Sequence, residues 1–349
     1  MGLAIIGTGR FLPPDRATNQ DLTRVMDTTA EWIEQRTGIQ ARHFASDGVG
    51  ASDLGAEAAK EALRKARIAP EQVDYLLVAT MTPDHHFPGP AAMVGAKVGM
   101  PGVPSLDVRQ QCAAWIYQLQ LAHALVHTGQ ASTLLLVGCE AHAGFMPWQD
   151  WDYLYGRGGS APSPEAWERA SRHRGLAILF GDGAGAVVVK RTDDDRGLLA
   201  VDLHSDGRHV DLLFVPGGFT HRPYWTKEML DEEKHIPRMM GKELFRHAVA
   251  KLPESVRTVC AKAGVSIDQV DLFVAHQAND RINGAVRTAL RVPAEKVPSN
   301  IAQIGNTSAG TIPILLDELT ESGRLKPGML VCFLALGAGL HWGSALFRT

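Results

Sequence analysis

Apolar and polar positions along the chain alternate between two rhythms. Residues 53–67 set Leu54, Ala58, Ala62 and Ala66 four apart behind Ser52, one face of a helix with a hydroxyl at its start. Residues 73–80, VDYLLVAT, form a continuous apolar run, the mark of a strand buried on both faces. Residues 113–128 predict another helix, closed by Gly129. TLLLVGCE (133–140) and AILFGDGAGAVVVK (177–190) predict two further buried strands. The alternation continues to the C-terminus, and it predicts an α/β fold.

The alternation also repeats itself. KARIAPEQVDYLL (65–77) matches KAGVSIDQVDLFV (262–274) at an offset of 197, with Lys, Ala, Gln, Val and Asp shared. HTGQASTLLLVG (127–138) faces ESGRLKPGMLVC (321–332) at an offset of 194, and MGLAIIGTGRFLP at the start resembles RGLLAVDLHSDGR at 196–208. A duplicated fold follows, with halves at 1–195 and 196–349 packed about a pseudo-twofold axis. Residues 142–174 interrupt the pattern with Phe145, Trp148, Trp151, Tyr153, Tyr155 and Trp167 around a Gly/Ser/Pro-rich centre. A segment of that kind reads as a lid, binding loop or interface arm. GGFTHRPYWTKEMLDEEKHIPR (217–238) is a second, similar stretch.

Composition narrows the function. The 349 residues are 45% hydrophobic and 21% charged, with a formal net charge of −3. No basic excess exists to neutralise phosphates, which argues against general nucleic-acid binding. No apolar run reaches the ~20 residues of a membrane span. The start, Met-Gly-Leu-Ala-Ile-Ile, lacks a basic n-region and reads as a strand, not a signal peptide. Cys112, Cys139, Cys260 and Cys332 are scattered, as reduced thiols of a cytoplasmic protein would be.

Two positions invite chemistry through the repeat. The 194 offset sets Cys112 opposite Asn306, each just before a helix: QQC|AAWIYQLQLAHAL and IGN|TSAGTIPILLDEL. A helix N-terminus carries about half a positive charge and unpaired N–H groups, and it is expected to draw the Cys112 thiol toward the thiolate that attacks carbonyls. His276 ends the strand VDLFVAH, at the carboxyl edge where α/β folds place ligands. By itself it fits a buried structural imidazole equally well. Cys139-x-x-His142 lacks the second ligand pair of a zinc site. Gly7-Thr8-Gly9 lacks the third glycine of a dinucleotide fingerprint, and FGDGAGAVVV runs into a strand instead of a helix; both read as close backbone packing.

Taken together, QQCAAW, FVAHQAND, GNTSAG and ALGAGLHWGSALFR resemble the β-ketoacyl-acyl-carrier-protein synthase III family of the thiolase superfamily. GTGRFLPP, TTAEWIEQRTGIQARH, FPGPAA and FGDGAGA extend the resemblance over nearly the whole chain. It implies a thiolase-like α/β fold of two halves in a five-layered α-β-α-β-α arrangement. It also implies a Cys112-His276-Asn306 triad: an acyl-CoA primer would acylate Cys112, and malonyl carrier protein would then lose CO₂ and condense with the acyl group. His276 and Asn306 would stabilise the enolate, and the N–H groups of Cys112 and Ala338 would form the oxyanion hole. Trp32, Arg36 and Arg174 would hold the CoA nucleotide, and Arg246 and Arg281 would receive the acidic carrier protein. Phe87 would reach across a homodimer to shape the partner's acyl pocket. The resemblance implies no permanently bound cofactor and no metal.

Three features depart from the family pattern. The glycine-rich loop reads Gly337-Ala338-Gly339, Trp115 is bulky for a primer channel, and the 142–174 insert reads as an extension beyond the usual length. They leave open the choice of primer and of acceptor. A synthase-III-like acyltransferase that acylates a small molecule or carrier without chain extension, as in polyketide-type pathways, is one alternative. A non-catalytic partner subunit is another.

Overall fold

The computed structural model describes residues 2–349. Two sheets dominate it. The first runs Gly2–Phe11, Gly183–Thr192, Thr133–Glu140, Tyr75–Ala79 and Ser105–Val108 from edge to edge, with the first two junctions antiparallel and the last two parallel. The second runs Gly197–Ser205, His341–Arg348, Leu330–Gly337 and Leu272–Ala275, again with two antiparallel junctions and then a parallel one. Strand for strand the orders correspond. Only Ser105–Val108 lacks a counterpart.

The predicted strand 133–140 appears unaltered as Thr133–Glu140, buried at every residue. The 177–190 prediction is half right. Arg174–Ala177 is a helical turn, and the strand begins only at Gly183. Gly7 and Gly9 are packing glycines: a Cβ would stand 2.5 Å from the Ala62 carbonyl oxygen and would strike that of Ala58. The helix behind them is Ala51–Ala66, started by Gly50 and not by Ser52. Ser52 is buried, and its hydroxyl donates to Asp84 at 2.7 Å.

Between the sheets lie two helices, Ala114–His127 and Thr311–Glu321. Their apolar residues join Leu136, Val187, Val274 and Phe333 in one core drawn from both sheets. Ala51–Ala66 and Pro90–Val98 cover the outer face of the first sheet, and Gly241–Lys262 and Asp280–Leu290 that of the second. The result is the five-layered order α-β-α-β-α. Asp317 ties the middle layer to the first sheet: buried in the Thr311–Glu321 helix, it accepts from Thr8 and Lys65, each at 2.7 Å, and from Arg10.

The elements also settle how the two copies superpose. Tyr75–Ala79 and Leu272–Ala275, Thr133–Glu140 and Leu330–Gly337, and the turns Gln111–Ala113 and Ser308–Gly310 all start 197 residues apart. An offset of 194 holds only at the helix ends, His127 and Glu321, because the second helix is three residues shorter. Cys112 therefore corresponds to Ala309 and not to Asn306, which lies three residues earlier, outside the turn.

Residues 142–174 fold back as a packed lobe. Trp148, Met146 and Leu154 are buried with Leu22, Met26 and Ile33, and Phe44 meets Trp148 and Trp151 edge-on. The 217–238 stretch latches onto this lobe through Glu233, which takes His173 at 2.8 Å and Arg169 at 3.0 Å. No helix among the described residues is long and apolar enough to cross a membrane.

Candidate active site

Cys112 sits in the Gln111–Ala113 turn that opens the first central helix. The preceding Gln111 is left-handed, with φ +51°. That conformation costs an L-residue about 1–2 kcal/mol and fixes the direction in which the turn presents the cysteine. The turn lies against Gly337 of the second sheet, where a Cβ would stand 2.9 Å from the Cys112 nitrogen. The second turn mirrors this. Ser308 is left-handed at φ +46°, and the turn lies against Gly138 of the first sheet, where a Cβ would collide with the Ala309 carbonyl. Each turn is thus seated on the other half's sheet, and both are driven to the same place.

Ser308 links the groups that gather there. Its hydroxyl accepts from the Cys112 thiol at 3.4 Å, and its N–H donates to Asn306 Oδ1 at 2.8 Å. The second bond fixes the carboxamide, since only oxygen can accept, and leaves Nδ2 as a donor. The Asn306 backbone is held by Leu179 and Gly181 at 2.9 and 3.1 Å. His276 follows the Leu272–Ala275 strand, its N–H bonded to Leu334 at 2.9 Å, and its Nδ1 lies 2.7 Å from Thr311 Oγ1. Beneath the Ser308 turn, the buried carboxylate of Glu140 accepts from Thr82 Oγ1 at 2.6 Å, Thr80 Oγ1 at 2.9 Å and the Ala309 N–H at 3.3 Å. Ser308, Thr311 and Glu140 went unread in the sequence. Ser308 lay within GNTSAG, but nothing in the letters shows that one residue serves both Cys112 and Asn306.

Cys112, His276, Asn306 and Ala338 line a single cavity of about 140 Å³, walled further by Phe245 and Leu252. Burial governs its electrostatics. It holds the His276 pKa down at about 3, so the imidazole is neutral. It pushes the Cys112 thiol up to about 12, against the lowering hydrogen bond to Ser308 and with a further upward push from Glu140. The thiolate expected from the helix N-terminus is therefore overturned in the free protein, because desolvation outweighs what the turn supplies.

The cavity adjoins a wide groove with which it shares Leu179, Met239 and Phe245. Trp32, Arg36, Arg246 and Arg281 line that groove. The Arg36 and Arg174 guanidinium carbons stand 4.3 and 4.8 Å from the Trp32 ring centre, so three residues chosen from the sequence form one cationic aromatic cluster. Phe87 lies elsewhere, 78% exposed. Trp115 is a correction. It is fully buried between the sheets, edge-on to Phe333 at 5.7 Å, and it does not line the cavity. Its place in the first turn of the helix aims it into the central core. Cys139 and His142 are buried, and no group of three or more His, Cys, Asp or Glu among the described residues is arranged to hold a metal.

Comparison with known proteins agrees over the whole chain. Residues 260–349 match the model of the 3-oxoacyl-[acyl-carrier-protein] synthase III C terminal, 166–207 match 3-oxoacyl-[acyl-carrier-protein] synthase III, and 34–144 match the thiolase N-terminal domain. The chain is 41% identical over 347 residues to a beta-ketoacyl-[acyl-carrier-protein] synthase III of Cereibacter sphaeroides, covering 98% of this chain and 97% of that one. It superposes on the crystal structure of 3-oxoacyl-[acyl-carrier-protein] synthase III from Aquifex aeolicus with a TM-score of 0.86, 37% identity and complete coverage of both chains. It superposes on the priming beta-ketosynthase of the R1128 polyketide biosynthetic pathway with a TM-score of 0.84 and 28% identity, covering 99% of this chain and 96% of that one. Fold, motifs and relatives converge, and the chain belongs to the β-ketoacyl-acyl-carrier-protein synthase III family of condensing enzymes, acyl-transferring proteins of thiolase-like fold.

Proposed function

We propose that this enzyme primes chain synthesis: an acyl-CoA loads Cys112, and malonyl carrier protein then extends the acyl group by decarboxylative condensation. The observation that carries the reading is the single cavity shared by Cys112, His276, Asn306 and Ala338, opening beside the Trp32–Arg36–Arg174 cluster. Trp32 and the arginines suit an adenine ring and phosphates. The apolar channel past Phe245 suits the methylene and dimethyl stretches of a pantetheine arm.

In the first half-reaction the Cys112 sulfur bonds to the acyl carbon, the bond to the CoA sulfur breaks, and the Cys112 proton ends on the departing CoA, which leaves as a thiol. The N–H groups of Cys112 and Ala338 hold the oxyanion. In the second, malonyl thioester loses CO₂, and its electron pair passes onto the thioester oxygen as an enolate. His276, kept neutral by burial, and the Nδ2 of Asn306 donate to that oxygen, each contributing roughly 3–4 kcal/mol. The enolate carbon bonds to the acyl carbon, and the Cys112 thiolate departs and takes a proton from water. Arg246 and Arg281 at the groove rim receive the acidic carrier. Phe87, exposed on its loop, completes the acyl pocket of a second subunit in a homodimer.

The test is intact-protein mass after incubation with acetyl-, isobutyryl- and hexanoyl-CoA, followed by CO₂ release on adding malonyl carrier protein. An adduct on Cys112 with CO₂ released in step is the expected result. An adduct that transfers without CO₂ assigns acyl transfer alone, and no adduct from any primer assigns a partner subunit.

A further inference from the structure

His276 is asked for opposite things in the two half-reactions. A thiol pushed as high as Cys112 needs a base as it attacks, whereas the enolate needs a donor. A neutral imidazole supplies both only if its proton sits on Nδ1 for the first task and on Nε2 for the second. What decides is the partner of Nδ1. That partner is Thr311 Oγ1, 2.7 Å away, and it is the ring's one hydrogen bond among the described residues. Both residues are buried, and Nε2 is left for the cavity that His276 lines.

The Thr311 hydroxyl has two places to send its proton. It reaches the Ser308 carbonyl at 3.0 Å, and it reaches Nδ1. The Ser308 carbonyl already accepts the Thr311 N–H, so it is satisfied whether or not the hydroxyl also donates to it. With the hydroxyl turned to Ser308, Nδ1–H donates to Oγ1 and Nε2 is an acceptor. With the hydroxyl turned to the ring, Nδ1 accepts and Nε2 carries the proton. Neither arrangement buries an unpaired polar group. A carboxylate in the same place would pin the proton on Nδ1 and forbid the second state.

We propose that Thr311 is the positioning residue that lets His276 change which ring nitrogen bears its proton between acylation and condensation. The inference rests on the condensing role given to His276 above. During acylation the Cys112 proton passes to Nε2 and from there to the departing CoA sulfur, so that CoA leaves as a thiol. Between the halves a water in the cavity gives one proton to Nε2, and the hydroxide it leaves takes the Nδ1 proton as the ring swings briefly away from Thr311, with no net change; when the ring returns, the hydroxyl has turned from Ser308 to Nδ1. His276 then faces the malonyl thioester as a donor.

The experiment compares Thr311→Val and Thr311→Ser with wild-type full-length enzyme, using the primer that loads fastest. Acylation is followed as the growth of the Cys112 adduct, and condensation as loss of a preformed adduct on adding malonyl carrier protein. Valine leaves Nδ1 without a partner, and a bare lone pair is cheaper to bury than an N–H, so the ring settles as Nε2–H. Acylation should fall roughly 10- to 100-fold while condensation changes by less than about 3-fold. Serine should restore acylation. Nitrogen NMR of histidine-labelled enzyme should show Nδ1 protonated before loading and Nε2 protonated after it, with the valine variant fixed in the second state. Equal slowing of both halves, failure of folded Thr311→Ser to rescue, or one unchanged wild-type tautomer before and after loading would overturn the proposal. A wild type that loads without releasing CO₂ would instead defeat the condensing assignment, and this inference with it.

Discussion

The two turns that meet at the cavity, Gln111–Ala113 and Ser308–Gly310, occupy corresponding places and share one geometry. Each opens a central helix, has a left-handed first residue and rests on a glycine of the opposite sheet. Their chemistry has diverged. In the first, the side chain after the strained residue is the reactive one, Cys112. In the second, the corresponding side chain is the methyl of Ala309, and the strained residue itself works, since Ser308 holds Cys112 with its hydroxyl and Asn306 with its N–H. The same backbone therefore presents a nucleophile in one copy and arranges the groups around it in the other.

The sharpest way to separate the two is to remove one side chain from each region. Cys112→Ala should abolish the acyl adduct altogether in intact-mass measurements, because no other thiol among the described residues lines the cavity. Asn306→Ala should leave acylation within about 3-fold and slow condensation roughly 10²- to 10³-fold, the value of one oxyanion donor. If Asn306→Ala blocked loading and spared CO₂ release, the division of labour between the turns would be reversed.

The glycine seats test the shared geometry through stability. A Cβ on Gly138 would strike the Ala309 carbonyl, and the next atoms in its way, the Ala309 carbonyl carbon and the Gly310 nitrogen, are backbone as well. A Cβ on Gly337 would meet the nitrogens of Cys112 and Ala113 at 2.9 and 3.0 Å. Both substitutions force backbone to move, the first by more. Urea unfolding should show Gly138→Ala destabilised by about 2–3 kcal/mol and Gly337→Ala by about 1–2 kcal/mol, the range of overpacked cores. A neutral Gly138→Ala would mean that the Ser308 turn is not held by the first sheet.

Much of this was legible beforehand, and what was missed has a common cause. Buried strands such as Thr133–Glu140 announce themselves because a run of apolar residues has few other homes. Cys112, His276 and Asn306 stand in motifs whose letters are themselves unusual, and the structure does bring all three to one cavity. Pairings are harder. Thr311 looks like any threonine in a helix until its hydroxyl is seen against His276, and Glu140 looks like the end of a strand until it is found beneath Ala309. Trp115 was misread because the aim of a side chain depends on where the helix starts. The thiol was misread because burial arises from the whole fold and opposes the local effect of the turn. The 194 register matched helix ends, which drift with loop length, while the strands and turns kept 197.

The smallest effect concerns how far the second turn reaches into the chemistry of the first. A thiol pKa raised above its ordinary value means that the neutral form predominates at neutral pH and that thiolate grows about tenfold per pH unit until the folded pKa is passed. With Cys112 pushed up to about 12, its alkylation by iodoacetamide in the free enzyme should keep rising from pH 7 to 10 with no plateau. His276 stays neutral over that range and adds no break of its own. Ser308 is the group that opposes the rise: its hydroxyl, which accepts from the thiol, turns to donate to the thiolate once the proton has left. Ser308→Ala keeps the N–H that orients Asn306 but removes the hydroxyl, so it should push the thiol higher and slow alkylation at pH 8 by about 3- to 10-fold, the worth of one hydrogen bond. A plateau near pH 7, or faster alkylation in Ser308→Ala, would show that the turn and helix N-terminus outweigh burial, and that the two turns are less dependent on each other than their contacts imply.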